Sequence, residues 1–483
     1  MYKKEGKVEN RIRFKGQITV TLALVLMVVV SLLLSMVEAA RSAALEVKLE
    51  CAAQTAVYSL FAQYHNELAN RYDLLFIDSS FQSNAPSFAK LEEILQEYME
   101  QNCKVPKDQF FLNTRDWYGI EKTICAVEAV RLASDSSSPA LYQQAVSYMK
   151  DLVTADYCED IKSWIKVVEK ESIDPEELVR QNKKSIENAE EGYEGDEKWR
   201  ITTLYPEFDL QKMFGEKELV WFTGVGKALS PKKINLQNTY SFRHKNEGSK
   251  ELNPPKLTDP LQDIYFNEYI LLKLGSYTEV EKDGALDYQS EYVLQGKSSD
   301  MENLLHMCKD LFFLRAAANM IPLAKSEEAK MIVETISSFA VLIDLPPDMV
   351  KPLLYILWAG VEGLLDTQDL LNGGRVPLIK SYQDFSISLK GITTPGEGLY
   401  MRKEKHAITD GLCYEDYLRI FLLDVSRQTR ISRCMDMIEA NIRLTQGNEY
   451  FRLDACTDLI IVQISVETGF GHFYSIRRKY SYF

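Results

Sequence analysis

A chain of 483 residues with 46% apolar side chains is long enough for more than one folded body and can bury a sizeable core, which excludes a disordered polymer. Its formal net charge of -14 excludes a general nucleic-acid binder, which needs a basic face to neutralise phosphates. The eight cysteines, at 51, 103, 125, 158, 308, 413, 434 and 456, form no CxxC metal or redox motif, and the sequence leaves both disulfide pairing and free buried thiols open.

The first element is the stretch Gly16 to Val37, 22 residues without a charge, with Leu24 and Val30 in its interior and thirteen Leu, Ile or Val in all. As a helix it is about 33 Å long, enough for a bilayer core. A cleaved signal has a shorter apolar region, so the length predicts a retained span, although Val37-Glu38-Ala39 offers a signal peptidase a site. Lys3, Lys4, Lys7, Arg11, Arg13 and Lys15 form a basic tail over residues 1–15, which places the N-terminus in the cytoplasm and the body outside the cell.

Residues 38–72 contain no Gly or Pro, and Leu45, Leu49, Ala52, Ala56 and Leu60 recur at three- and four-residue steps, which predicts one continuous stem helix. A narrow seam rich in small residues points to close helix contact. The spacing leaves open whether that contact is with a partner helix, with a second copy, or with the protein's own body.

Two features of this region carry a resemblance. Gly16, the apolar span and the closing Glu38-Ala39-Ala40-Arg41, followed by Leu49-Glu50-Cys51-Ala52-Ala53-Gln54-Thr55-Ala56, are similar to the N-terminus of TadE/TadG-type proteins of the tight-adherence (Tad, or Flp) pilus system. The likeness covers about the first 60 residues. Pilin-like members carry a glutamate five residues after the processed glycine, where this chain has Thr21. The resemblance therefore implies an anchored accessory protein with pilus assembly components as partners, rather than a polymerising subunit. The rest of the chain resembles an uncharacterised family of large surface proteins.

Beyond the stem, residues 89–101, 121–132, 140–154 and 161–169 read as amphipathic helices, so residues 73–190 form a mainly helical region. Asp174 followed by Pro175, Glu176 and Glu177 marks a helix start. The acidic run 187–199 lacks calcium-loop spacing and reads as solvated linker, opening a linker and β-containing region over 191–260. In residues 261–483, helices are expected at 261–274, 301–320, 327–342, 349–371, 414–425 and 431–444. Phe385-Ile387-Leu389 and Ile460-Val462-Ile464-Val466 alternate as strands. The fold class is therefore α+β. Lys351 and Glu362 interrupt residues 349–365, which excludes a second span and predicts a buried helix.

Enzyme motifs are silent: no HExxH, P-loop or Gly-x-Ser-x-Gly occurs, and the histidines at 65, 244, 306, 406 and 472 are scattered. Asp78-Ser79-Ser80 lacks the second spaced serine of an adhesion-type metal site. The C-terminal "FGHFYSIRRKYSYF" reads as a packed last strand with a solvated basic edge, or as an interaction surface. The sequence predicts a non-enzymatic protein without cofactor or metal, partnered by the lipid bilayer and by no nucleic acid. An anchored hydrolase with two unmarked carboxylates is the alternative.

Overall fold

The computed structural model describes residues 9–104, 117–135, 138–191, 209–211, 218–224, 227–249, 252, 260–281, 283–339, 346–387 and 411–482. The protein is α+β, mostly helical with a small antiparallel sheet. The first helix, α1 (Glu9–Phe61), is one unbroken element of 53 residues, about 80 Å at 1.5 Å per residue. Gly16 lies within it. Its apolar half has a mean hydropathy of 2.8 and is long and apolar enough to cross a membrane. Among the described residues nothing covers that half, and Leu24, Val30 and Val37 are 57, 45 and 54% exposed.

From Leu45 onward the same helix changes character. Leu45, Leu49, Ala52, Ala56 and Leu60 are all buried. Ala52 and Ala56, with Leu49, Ala53, Val57, Leu60 and Phe61, share a core with Leu91, Leu95 and Met99 of α3 (Phe88–Cys103) and with the inner face of the sheet. The seam, whose covering the sequence left open between a partner, a second copy and the protein's own body, is filled by that body. Small residues recur there because two helices, α1 and α3, approach closely along that line.

The expected helix from Glu38 to Tyr72 is not continuous. α1 stops at Phe61, and α2 (Asn66–Tyr72) starts afresh with His65 as its cap, the ring Nδ1 accepting from the Leu68 N–H at 3.2 Å. No helix breaker causes this. The Tyr482 hydroxyl donates to the Phe61 carbonyl at 2.5 Å, and the His65 N–H donates to the Phe76 carbonyl at 2.9 Å. Long-range partners thus take groups that a longer helix would use internally.

The sheet is built on β3 (Cys456–Thr468). One edge pairs with β2 (Ile120–Leu132), the other first with β1 (Ile77–Asp78) and then with β4 (Phe473–Ser481), all antiparallel. Ile460, Val462, Ile464 and Val466 face the α1/α3 layer, as their alternation predicts. The expectation of a helix over residues 121–132 is overturned: this segment is β2, with Cys125 opposite Ile464 and Val127 opposite Val462. Its apolar residues suit either period, and pairing with a strand more than three hundred residues away decides the outcome.

Most remaining helices form a second body: α4 (Pro139–Leu152), α5 (Ala155–Lys170), α6 (Pro175–Glu191), α7 (Glu218–Thr223), α8 (Pro260–Lys273), α9 (Gln289–Gln295), α10 (Asp300–Lys325), α11 (Glu327–Ser338), α12 (Pro347–Leu371), α13 (Tyr414–Asp424) and α14 (Arg427–Arg443). Asp174 caps α6 as expected, its Oδ1 accepting from the N–H groups of Glu176 and Glu177 at 2.9 and 3.0 Å. α12 is buried protein rather than a span, and at Gly363 it approaches α10 so closely that a Cβ would lie 2.9 Å from the Ala316 nitrogen.

Phe385 and Ile387 are buried but do not form a strand. A strand neighbour's place is taken by side chains of α12: the Ser386 and Ile387 N–H groups donate to Glu362, and Trp358 Nε1 donates to the Ile387 carbonyl at 3.0 Å. Leu389 lies outside the described residues, as do 192–199 of the acidic run and most of 250–260. The helical body does not fold apart from the first half of the chain. Its core runs from Leu68 to Cys456 and includes α4 and α5, while β2 belongs to the sheet. Tyr72 ties the layers together, accepting from Asn441 at its hydroxyl and from Tyr269 at its carbonyl, at 2.9 and 2.7 Å.

Candidate functional site

The neck, where α1 passes from its bare half into the body, gathers residues from three distant parts of the chain. The β3–β4 hairpin turns through Gly469-Phe470-Gly471-His472. Its geometry is closed by the Gly471 N–H to the Thr468 carbonyl at 2.9 Å, with Gly471 at φ +80°. The Gly469 N–H donates to the Gly119 carbonyl at 2.8 Å, which binds the turn to the segment leading into β2. Gly119 has φ +57°, and a Cβ there would stand 2.6 Å from the Phe470 ring. Only glycine fits both the backbone and the ring.

The turn grips α1 directly. Glu38 accepts from Arg41 at 2.7 Å and pairs with His472 Nε2 at 3.0 Å. The Arg41 guanidinium lies 3.5 Å from the Phe470 ring centroid, a cation–π contact. At the next residue, the Ser42 hydroxyl meets that of Tyr474 at 2.6 Å. These are bonds of positioning: an ion pair, a cation over a ring and a hydroxyl pair, held where the helix leaves its exposed half.

Of the residues singled out from the sequence, Glu38 and Arg41 belong to this clasp, Leu45 lies just below it, and Leu49, Ala52, Ala56 and Leu60 form the core beneath. Leu24, Val30 and Val37 lie on the bare half. Sequence reasoning missed Ser42, Gly119, Phe470, His472 and Tyr474 as neck residues. A signal existed in Tyr474, Ile476, Arg478, Tyr480 and Tyr482, whose alternation defines the face of β4 turned to α1. Arg478 reaches Glu50, and Tyr480 packs edge-on to Phe61. The C-terminal stretch is a packed last strand, with Arg477, Arg478 and Lys479 exposed.

Other clusters are structural. Arg315, Asp366, Lys380 and Glu362 form a fully buried, charge-balanced set between α10, α12 and residues 376–387: Arg315 donates to Asp366 at 3.0 and 3.1 Å, and Lys380 lies 2.5 Å from both acids. None of the four residues is more than 3% exposed. A polar surface cleft of about 290 Å³ is lined by Arg243, Arg443, Arg452, Glu449 and Tyr450. Arg243 is already engaged by Glu439 and Asp454, which hold its charge against burial. Glu291 is buried under Tyr277 and Tyr414, whose N–H and hydroxyl donate to it at 2.9 and 2.8 Å; burial nevertheless pushes its carboxyl up to about 7.

All eight cysteines are free, and burial raises the thiols of Cys103, Cys308, Cys434 and Cys456 and lifts Cys125 to about 12, away from nucleophilic thiolate. Among the described residues no group of three or more His, Cys, Asp or Glu could hold a metal ion. Ser79 is spent on the Ala455 carbonyl and the Thr457 hydroxyl, and Asp78 accepts from the Ser80 N–H at 2.9 Å, so this trio closes a turn beside β3.

Residues 206–468, more than half of the chain, match the family of unknown function DUF5702. The protein belongs to this DUF5702 family. Neither a curated protein nor a solved structure matches it. The DUF5702 region holds most of the helical body and ends with β3, whose strand partners β1, β2 and β4 all lie outside it. The neck is thus assembled from the end of the DUF5702 region and from chain on either side of it.

Proposed function

We propose that this protein is a non-catalytic, single-pass membrane anchor that displays its DUF5702 body outside the cell as an accessory or scaffold of a tight-adherence type pilus. The observation that carries the anchoring is α1 itself, whose bare apolar half and buried half are one helix with no joint between them. Force or position imposed on the body passes through that helix to the bilayer without a flexible linker. The basic tail before the span favours a cytoplasmic N-terminus. The pilus assignment rests on the resemblance of the first 60 residues to TadE/TadG-type proteins.

Two experiments test the two parts. Membranes washed in high salt and alkaline carbonate should retain the protein, and protease added to wall-stripped cells should digest the body; a carbonate-soluble protein would refute the anchor, and a protected body would refute its display outside the cell. Deleting the gene should leave pilus subunits synthesised but poorly displayed, and unchanged pilus display would refute the pilus role alone.

A further inference from the structure

We infer that the neck carries an aromatic collar, formed by Trp117, Phe470 and Phe473, which sits in the headgroup layer of the bilayer that α1 crosses. The inference rests on reading residues 16–37 as a retained span. The three side chains are 69, 55 and 63% exposed, although Tyr474, Ile476 and Tyr480 of the same hairpin pack into the core. Their exposure is not looseness of the backbone. Phe470 is wedged between Arg41 and Gly119, Phe473 precedes the tyrosine bonded to Ser42, and Trp117 stands two residues before Gly119.

The position of the collar along the membrane normal follows from α1. Its contact points, Glu38, Arg41 and Ser42, lie within five residues of Val37, about 8 Å along a helix. A headgroup layer is about 5 to 8 Å thick on each side of the hydrocarbon core. The collar therefore falls at the depth where large aromatic rings are enriched, with the apolar ring toward the chains and the polar surroundings toward water. The chemistry also fits: Arg41, Glu38 and His472 form the polar floor of the collar, tolerable in the interface and costly in hydrocarbon. The collar is held to α1 within five residues of its bare half, so its occupant is the lipid that surrounds that half.

In this arrangement the bilayer surface is a second support for the body. The helix fixes its distance from the membrane, and the collar resists tilting about the neck.

The test uses full-length protein in vesicles of phosphatidylcholine and phosphatidylglycerol whose acyl chains are brominated near the headgroup. None of the five tryptophans lies before residue 117, so quenching does not arise in the span. Wild-type protein should show a quenched emission component that Trp117→Phe lacks, and the pair Phe470→Ser and Phe473→Ser should weaken that component with the circular dichroism spectrum unchanged. Equal quenching of wild type and Trp117→Phe, in protein that resists carbonate, would overturn the collar while sparing the anchor and would leave water or another protein as its cover. Extraction by carbonate would remove the span reading and the collar with it.

Discussion

The hydroxyls of Ser42 and Tyr474 meet at 2.6 Å, and eight residues later, just past the end of β4, the Tyr482 hydroxyl reaches the carbonyl of Phe61, nineteen residues later on α1. Nineteen helical residues rise about 28 Å and eight extended residues about 26 Å, so helix and strand advance together. Arg478 on Glu50 and Tyr480 against Tyr58 and Phe61 fill the interval. The C-terminal strand is therefore a splint along the buried half of α1.

Ala56→Glu tests that splinted core. Ala56 is fully buried among apolar side chains of α1, α3 and the sheet, where a carboxylate would lose its water. The cost should be about 3 kcal/mol or more. Thermal melts in detergent should show the body destabilised, whereas an unchanged melt would mean that the seam faces a removable partner.

Gln96→Leu tests the closed edge of the sheet. Gln96 accepts from the Cys125 N–H at 2.9 Å and donates to the Thr123 carbonyl at 2.7 Å, and Glu92 accepts from the Val127 N–H at 2.8 Å. α3 thus satisfies edge groups that would otherwise recruit another strand. Losing Gln96 should cost about 1–3 kcal/mol and raise aggregation measured by light scattering.

Asp366→Ala strips the shared partner from Arg315, Asn319 and Lys380. Two buried cations would then face one acid, Glu362. Denaturant melts should show a loss of about 3–5 kcal/mol, and residues 376–387 should become susceptible to proteolysis.

Glu291 gives a pH dependence of known sign. Its carboxyl titrates near 4.5 when unfolded and about 7 when folded, so between these values the folded protein holds a proton that the unfolded chain releases. This contribution to stability is full below pH 4.5 and is lost as pH rises through 7, about 3 kcal/mol in all. Stability of Glu291→Gln minus that of wild type should therefore rise across the window. A flat difference would show that Glu291 stays ionised.

Features set by local sequence were legible in advance. The long apolar helix, the Asp174 cap, the α12 helix and the β3 alternation each follow from residues within one element. The errors share one cause, a distant partner. β2 is a strand because β3 pairs with it, and α1 ends at Phe61 because Tyr482 takes its carbonyl. Phe385 and Ile387 are pinned by Glu362 and Trp358 rather than by a neighbouring strand. The neck was half legible: Glu38 and Arg41 stood out beside the span, but nothing local says that a turn more than four hundred residues later closes on them.

The account rests on one rigid helix joining bilayer and body, and a distance across the neck measures it most directly. Spin labels introduced through unnatural amino acids at Leu26 and Val47, both exposed on α1, are twenty-one residues apart, about 32 Å on a straight helix. Pulsed electron resonance on full-length protein in nanodiscs should give a single narrow distribution near that distance. A broad distribution, or a clearly shorter one, would show a joint at the neck and contradict the account.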